Sequence, residues 1–133
     1  MTDRIRELTR ETEFLNVDLV VRSRFSLAAL LAEWPRAQAP ERAEGRAVRW
    51  IVVGPPGVPK NCEAAVRAHL GLIRALRSGA RSCWERSYSK TFDIGIQAGL
   101  APSAFEQCTL SPATLRAVAS VGGRVQITVY APA

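Results

Sequence analysis

Histidine, methionine and lysine are nearly missing from this sequence: one His (His69), one Met and two Lys (Lys60 and Lys90). A single histidine excludes a His-based metal cluster and leaves few partners for acid–base catalysis. Cysteine is sparse too. Cys62, Cys83 and Cys108 are odd in number and widely spaced, so no disulfide framework is expected, and a reducing compartment is the simpler reading. No apolar run approaches the roughly 18 to 20 residues that a bilayer crossing needs. Acids and bases alternate through residues 1–13, unlike a signal or transit peptide. A cytoplasmic location without membrane association is therefore expected.

What is present fits one globular domain. The chain has 133 residues, 47% of them hydrophobic and 23% charged, enough apolar surface for one core. Eighteen bases against twelve acids give a net charge of +6. Sixteen of those bases are Arg, scattered among many Ala residues, a bias that a GC-rich genome produces whatever the function. Net charge bears on solubility and nonspecific attraction, not on fold.

Residues 1–13 form a charged lead-in, with a frayed helix or none expected, and 14–133 form the domain. Leu15, Val17, Leu19 and Val21 alternate with Asn16, Asp18, Val20 and Arg22, which predicts a half-buried strand. Ser23 and Ser26 offer caps for a helix carrying Phe25, Leu27, Leu30, Leu31 and Trp34, stopped by Pro35. After a loop over 35–46, Val48–Val53 is apolar on both faces and reads as a well-covered strand. Its Trp50, Ile51 and Val53 hint at cover from a second subunit. A long helix over about 60–77 buries Cys62, Val66, Leu70, Ile73 and Leu76 on one stripe, and Ser78-Gly79 interrupts it. A further helical turn or two carries Cys83, Trp84 and Tyr88. Phe92, Ile94, Ile96 and Ala98 make a third strand, and 99–110 is loop with a short extended piece at 104–109. Ser111-Pro112 starts a helix that buries Leu115, Val118 and Ala119 and ends at Gly122-Gly123. Arg124 to Tyr130 alternates Val125, Ile127 and Val129 with Gln126, Thr128 and Tyr130 as the last strand. The order predicts an α+β two-layer sandwich, ferredoxin-like, with about four strands in one mainly antiparallel sheet and helices on one face.

The runs FLNVDL (14–19), Trp84 with FDIGIQAG (92–99) and VxITVY (125–130) resemble a group of small bacterial proteins with a domain of unknown function built of alternating strands and helices. The resemblance covers about residues 14–132. It implies a bacterial α+β domain and carries no chemistry with it.

The motifs with functional potential each have a plainer explanation beside them. GPPGVPK (54–60) sits between a strand and a helix, as a phosphate-binding loop would. Its glycine spacing is wrong, Asn61 stands where a hydroxyl is needed, and Pro55, Pro56 and Pro59 have no N–H to offer phosphate. Cys62 and His69, seven residues apart on one helix, lie about 10 Å apart along its axis, too far to share a zinc ion. No catalytic residue, metal ligand or cofactor is expected, and the chain is not expected to be an enzyme. If the strands are neighbours, Asn16, Asp18, Asp93, Gln97, Gln126, Thr128 and Tyr130 share the polar face of the sheet, rimmed by Arg22 or Arg124. Solvent exposure alone explains such a face, yet it is the place to look for a partner. Its acids and amides stand where an RNA-binding sheet presents aromatics. Arg67, Arg74, Arg77 and Arg81 form a basic edge, usually a solvated face and otherwise a phosphate-binding one.

The leading expectation is thus a non-enzymatic module that binds another protein or itself as a homodimer, an immunity-type role being one analogy. Nucleic-acid binding through the basic edge, and a small-ligand or enzymatic site around Asp18, Asp93 and Tyr130 with Cys108 as an outside candidate, are the competing readings.

Overall fold

The computed structural model describes residues 10–39, 49–101 and 108–132. Most of the lead-in and the extended piece expected at 104–109 lie outside the described residues. Among the described residues four strands form one sheet: β1 (Glu13–Arg22), β2 (Trp50–Val53), β3 (Ser89–Gln97) and β4 (Arg124–Tyr130). Among the described residues there are four helices: α1 (Ala28–Glu33), α2 (Cys62–Arg74), α3 (Ser78–Arg86) and α4 (Pro112–Ser120).

The sheet is mixed, in the order β2-β1-β3-β4. β1 pairs antiparallel with both β2 and β3, whereas β3 and β4 run parallel. This corrects the ferredoxin-like expectation, in which another strand separates the two strands of each β-α-β unit. Here β1 and β2 are direct neighbours. The six-residue α1 is the only described helix between them, and β2 returns antiparallel beside β1. Only the second half, β3-α4-β4, makes a parallel crossover unit.

Alternation delivers the inner layer. Val17, Leu19 and Val21 from β1, Ile51 and Val53 from β2, and Phe92, Ile94 and Ile96 from β3 are buried together with Val66, Leu70 and Ile73 of α2. The ring of Trp34, just after α1, meets Trp84 of α3 edge-on with centroids 6.0 Å apart. His69 is wholly buried in this layer. Its Nε2 lies 2.7 Å from the Val17 carbonyl, which identifies that nitrogen as the N–H donor. β2 pairs with β1 only over Leu19–Arg22, so His69 supplies a donor just beyond the end of that ladder.

Four local expectations change. The register of β1 shifts between Phe14 and Asn16, a bulge that turns Leu15 out (47% exposed) and brings Phe14 onto the core instead. The long helix is shorter than expected: α2 starts one residue after Asn61, whose side chain accepts from the Ala64 N–H at 2.8 Å, and it ends at Arg74. Ser78-Gly79 does not interrupt a helix but begins α3, because Arg77 adopts an extended conformation. In α4 the buried residues are Thr114 and Val118, while Leu115 and Ala119 face outward. That helix is rotated because the Thr114 hydroxyl donates to Glu63 Oε1 (2.9 Å) and accepts from Arg67 Nε (3.2 Å), both on α2.

Candidate functional site

Cross-strand registry assembles the polar face row by row. Asp18, Asp93 and Gln126 stand side by side across β1, β3 and β4. The next row is Asn16, Gly95 and Thr128, and beyond it Gln97 pairs with Tyr130. The seven residues named from the sequence therefore occupy one surface, opposite the layer that packs on the helices.

Their side chains bond to one another. The Thr128 hydroxyl donates to Asp93 Oδ1 at 2.7 Å. Asn16 Nδ2 reaches Asp18 Oδ1 at 3.4 Å, and its Oδ1 accepts from the Val17 N–H at 2.9 Å. Gln97 Nε2 donates to the carbonyls of Ala98 (3.2 Å) and Ala131 (3.1 Å), tying the end of β3 to the chain leaving β4. The Tyr130 ring lies over Gly95, where a Cβ would stand 3.7 Å from it, and Leu15 borders the same spot. Tyr130 remains 51% exposed.

The two facing carboxylates set the electrostatics. Partial burial, and then repulsion from Asp93, raises the Asp18 pKa above the ordinary carboxylate value. Asp93 has the better donor in Thr128. The cations at the far end are occupied: Arg124 donates to Thr91 Oγ1 (2.9 Å) and Ser89 Oγ (3.1 Å), and Arg22 lies 5.2 Å over the Trp50 ring. An acidic and amide centre thus separates a basic end from an end bearing Tyr130 and Leu15.

Against this geometry the chain was compared with known proteins. No protein-family model, curated protein or solved structure matches it.

The basic edge is divided rather than continuous. Arg67 and Arg74 line a groove of about 310 Å³ between α2 and α4, together with Leu70, Ala113, Thr114 and Ala117. Arg81 turns inward and donates to the carbonyls of Arg74 (2.8 Å) and Leu76 (3.2 Å) at the end of α2. Arg77 sits by α1, with its backbone N–H on both Glu33 carboxylate oxygens at 3.2 Å and its guanidinium 3.9 Å from that carboxylate.

Among the described residues no three His, Cys, Asp or Glu side chains gather as a metal site would require. Cys62 and Cys108 do meet, a contact between residues far apart along the chain. Burial, followed by the neighbouring Cys108, pushes the Cys62 thiol up. Cys83 is buried, with its thiol directed at the Ser26 carbonyl (3.3 Å). Glu63 stands in the first turn of α2, one turn before Arg67. It also binds the Ser111 N–H (2.7 Å) and Thr114, and these bonds hold its pKa down at about 2.

Proposed function

We propose that this chain is a non-enzymatic protein-binding module that engages another protein through Asn16, Asp18, Asp93, Gln97, Gln126, Thr128 and Tyr130. The observation that carries this reading is registry: these residues fall into adjacent rows on one sheet face. Such a surface offers hydrogen-bonding groups that stay soluble when unbound and an aromatic anchor at its margin. Tyrosine is a common anchor because it brings large contact area with few rotatable bonds. A cytoplasmic setting agrees with three unpaired cysteines, and an immunity-type role fits a small binding module of this kind.

The test is affinity capture followed by surface reversal. A partner recovered with the wild-type chain should be lost with Asp93→Lys or Tyr130→Ala and retained with Arg116→Glu on α4. A partner indifferent to both face variants would overturn the reading.

A second reading draws on Arg67 and Arg74, which line one groove. Phosphate-backbone binding there would weaken steeply with added salt and fall with Arg67→Glu/Arg74→Glu. Absence of binding at low salt would remove it.

A further inference from the structure

The two edges of the sheet differ. At β2 the outer edge is blocked at Val52, where Gln38 exchanges both backbone hydrogen bonds with it (2.8 and 2.7 Å). At β4, no described residue pairs with the outer side. β4 is also long and unbroken for an edge strand. Over Arg124–Tyr130 it has no proline, no lysine and no register shift against β3. Folded proteins normally protect an exposed edge with such devices, because unpaired backbone groups recruit another strand.

Side chains on β4 add to this. Val125, Ile127 and Val129 are in register with buried Phe92, Ile94 and Ile96, so they belong to the helix-side layer. The helices do not reach over them: they are 38%, 60% and 60% exposed. The backbone is phased to match. The Tyr130 carbonyl accepts from the Ala98 N–H (2.9 Å) and so faces β3. Because N–H and C=O of one strand residue point the same way and alternate along the chain, those of Val125, Ile127 and Val129 point outward.

We propose that the chain forms a two-fold homodimer in which β4 pairs antiparallel with β4 of a second copy, centred on Ile127. The sequence RVQITVY is complementary to its own reverse about that residue. Ile127 meets Ile127 of the partner subunit, Val125 meets the partner's Val129, and Gln126 meets the partner's Thr128. Each of the three outward-facing pairs closes two backbone hydrogen bonds. Charge selects the direction: antiparallel pairing sets each Arg124 against the partner's Tyr130, a cation beside an aromatic ring, and keeps the two Arg124 residues about 20 Å apart. In-register parallel pairing would oppose arginine to arginine. The product is a closed pair with a continuous eight-stranded sheet, because the two-fold axis uses up both β4 edges and Gln38 blocks each β2 edge at Val52. The pairing stands whether or not the polar face also docks another protein.

The experiment is performed on the full chain. Equilibrium sedimentation should give twice the chain mass, and Ile127→Lys should return it to one chain mass with the circular dichroism of the wild type. Register is tested by single cysteines in a Cys108→Ser background with oxidised glutathione as electron acceptor. Ile127→Cys should crosslink to itself, since residues in a hydrogen-bonded antiparallel pair stand about 5.5 Å apart, within disulfide reach. Val125→Cys alone should not crosslink to itself, but should do so when mixed with Val129→Cys. A monomer at all concentrations, assemblies larger than dimers, or crosslinking of Val125→Cys to itself as efficient as that of Ile127→Cys would each overturn the proposal.

Discussion

Asp18 lies half-buried beside Asp93, its hydrogen bond from Asn16 is long, and its raised pKa records the cost of keeping it ionised. Like charges directly opposite on neighbouring strands destabilise a sheet by roughly 0.2 to 1 kcal/mol. Asp18→Asn should therefore stabilise the chain by about that amount at neutral pH, read from chemical denaturation. The gain should shrink in acid, where the wild-type carboxyl takes up its proton in the folded state. A variant no more stable than the wild type at neutral pH would mean that the pair is relieved by something else. The cysteines permit a second prediction. Burial pushes the Cys62 and Cys83 thiols up, away from the reactive thiolate, while Cys108 is partly exposed. Iodoacetamide should modify Cys108 well before the other two, as mass spectrometry of the native protein can check.

At the scale of elements, α4 shows how local sequence fixes the ends of a helix while its neighbours fix its rotation. Ser111 caps the start by accepting from the Thr114 N–H (3.2 Å), and Pro112 follows at the first turn. At the other end the Gly122 N–H bonds to Ala119 and the Gly123 N–H to Val118, with Gly122 at φ +76°. That pair of bonds needs a left-handed residue, which glycine adopts without a Cβ clash. Gly122→Ala should cost about 1 kcal/mol, and Ser111→Ala about 1 kcal/mol, both measurable as shifts in denaturant midpoint with unchanged slope. These ends were legible in the sequence because caps and glycines act on adjacent residues. The buried face was not. Leu115 outranks Thr114 in hydrophobicity, yet the hydroxyl is turned inward by Glu63 and Arg67 from another helix. The bulge at Leu15 escaped notice for a similar reason, since a run of alternating residues looks the same with or without one extra residue opposite Gly95.

For the whole molecule, acid should act in two stages. Burial depresses the pKa of His69 below its ordinary 6.5. The unfolded chain then binds a proton before the folded one, so this histidine makes stability fall as pH drops below about 6.5. Glu63 follows lower down. Its pKa is held at about 2 against an ordinary 4.5, so its bonds to Ser111 and Thr114 contribute above about pH 4.5 and are lost as pH falls toward 2. Thermal unfolding followed from about pH 7 downward should show the first decline vanish in His69→Phe and the second flatten in Glu63→Gln. Both groups tie separate elements together, His69 joining α2 to the sheet and Glu63 joining α2 to the start of α4.

What the linear chain determined by itself is everything set by period and by neighbours along the backbone. The strands at Val17, Ile94 and Ile127, the buried stripe from Cys62 to Leu76, the start of α4 at Ser111 and the side of its own strand that each of the seven polar residues takes belong here. Tertiary structure decided what depends on residues far apart: the order β2-β1-β3-β4, the parallel return of β4, the splitting of the arginines and the meeting of Cys62 with Cys108. Alternation tells a strand which face to bury, but it is silent about which strand lies beside it. That choice rests on the reach of the connections and the packing of the helices, which also leave Ile127 and Val129 uncovered at the sheet's open edge.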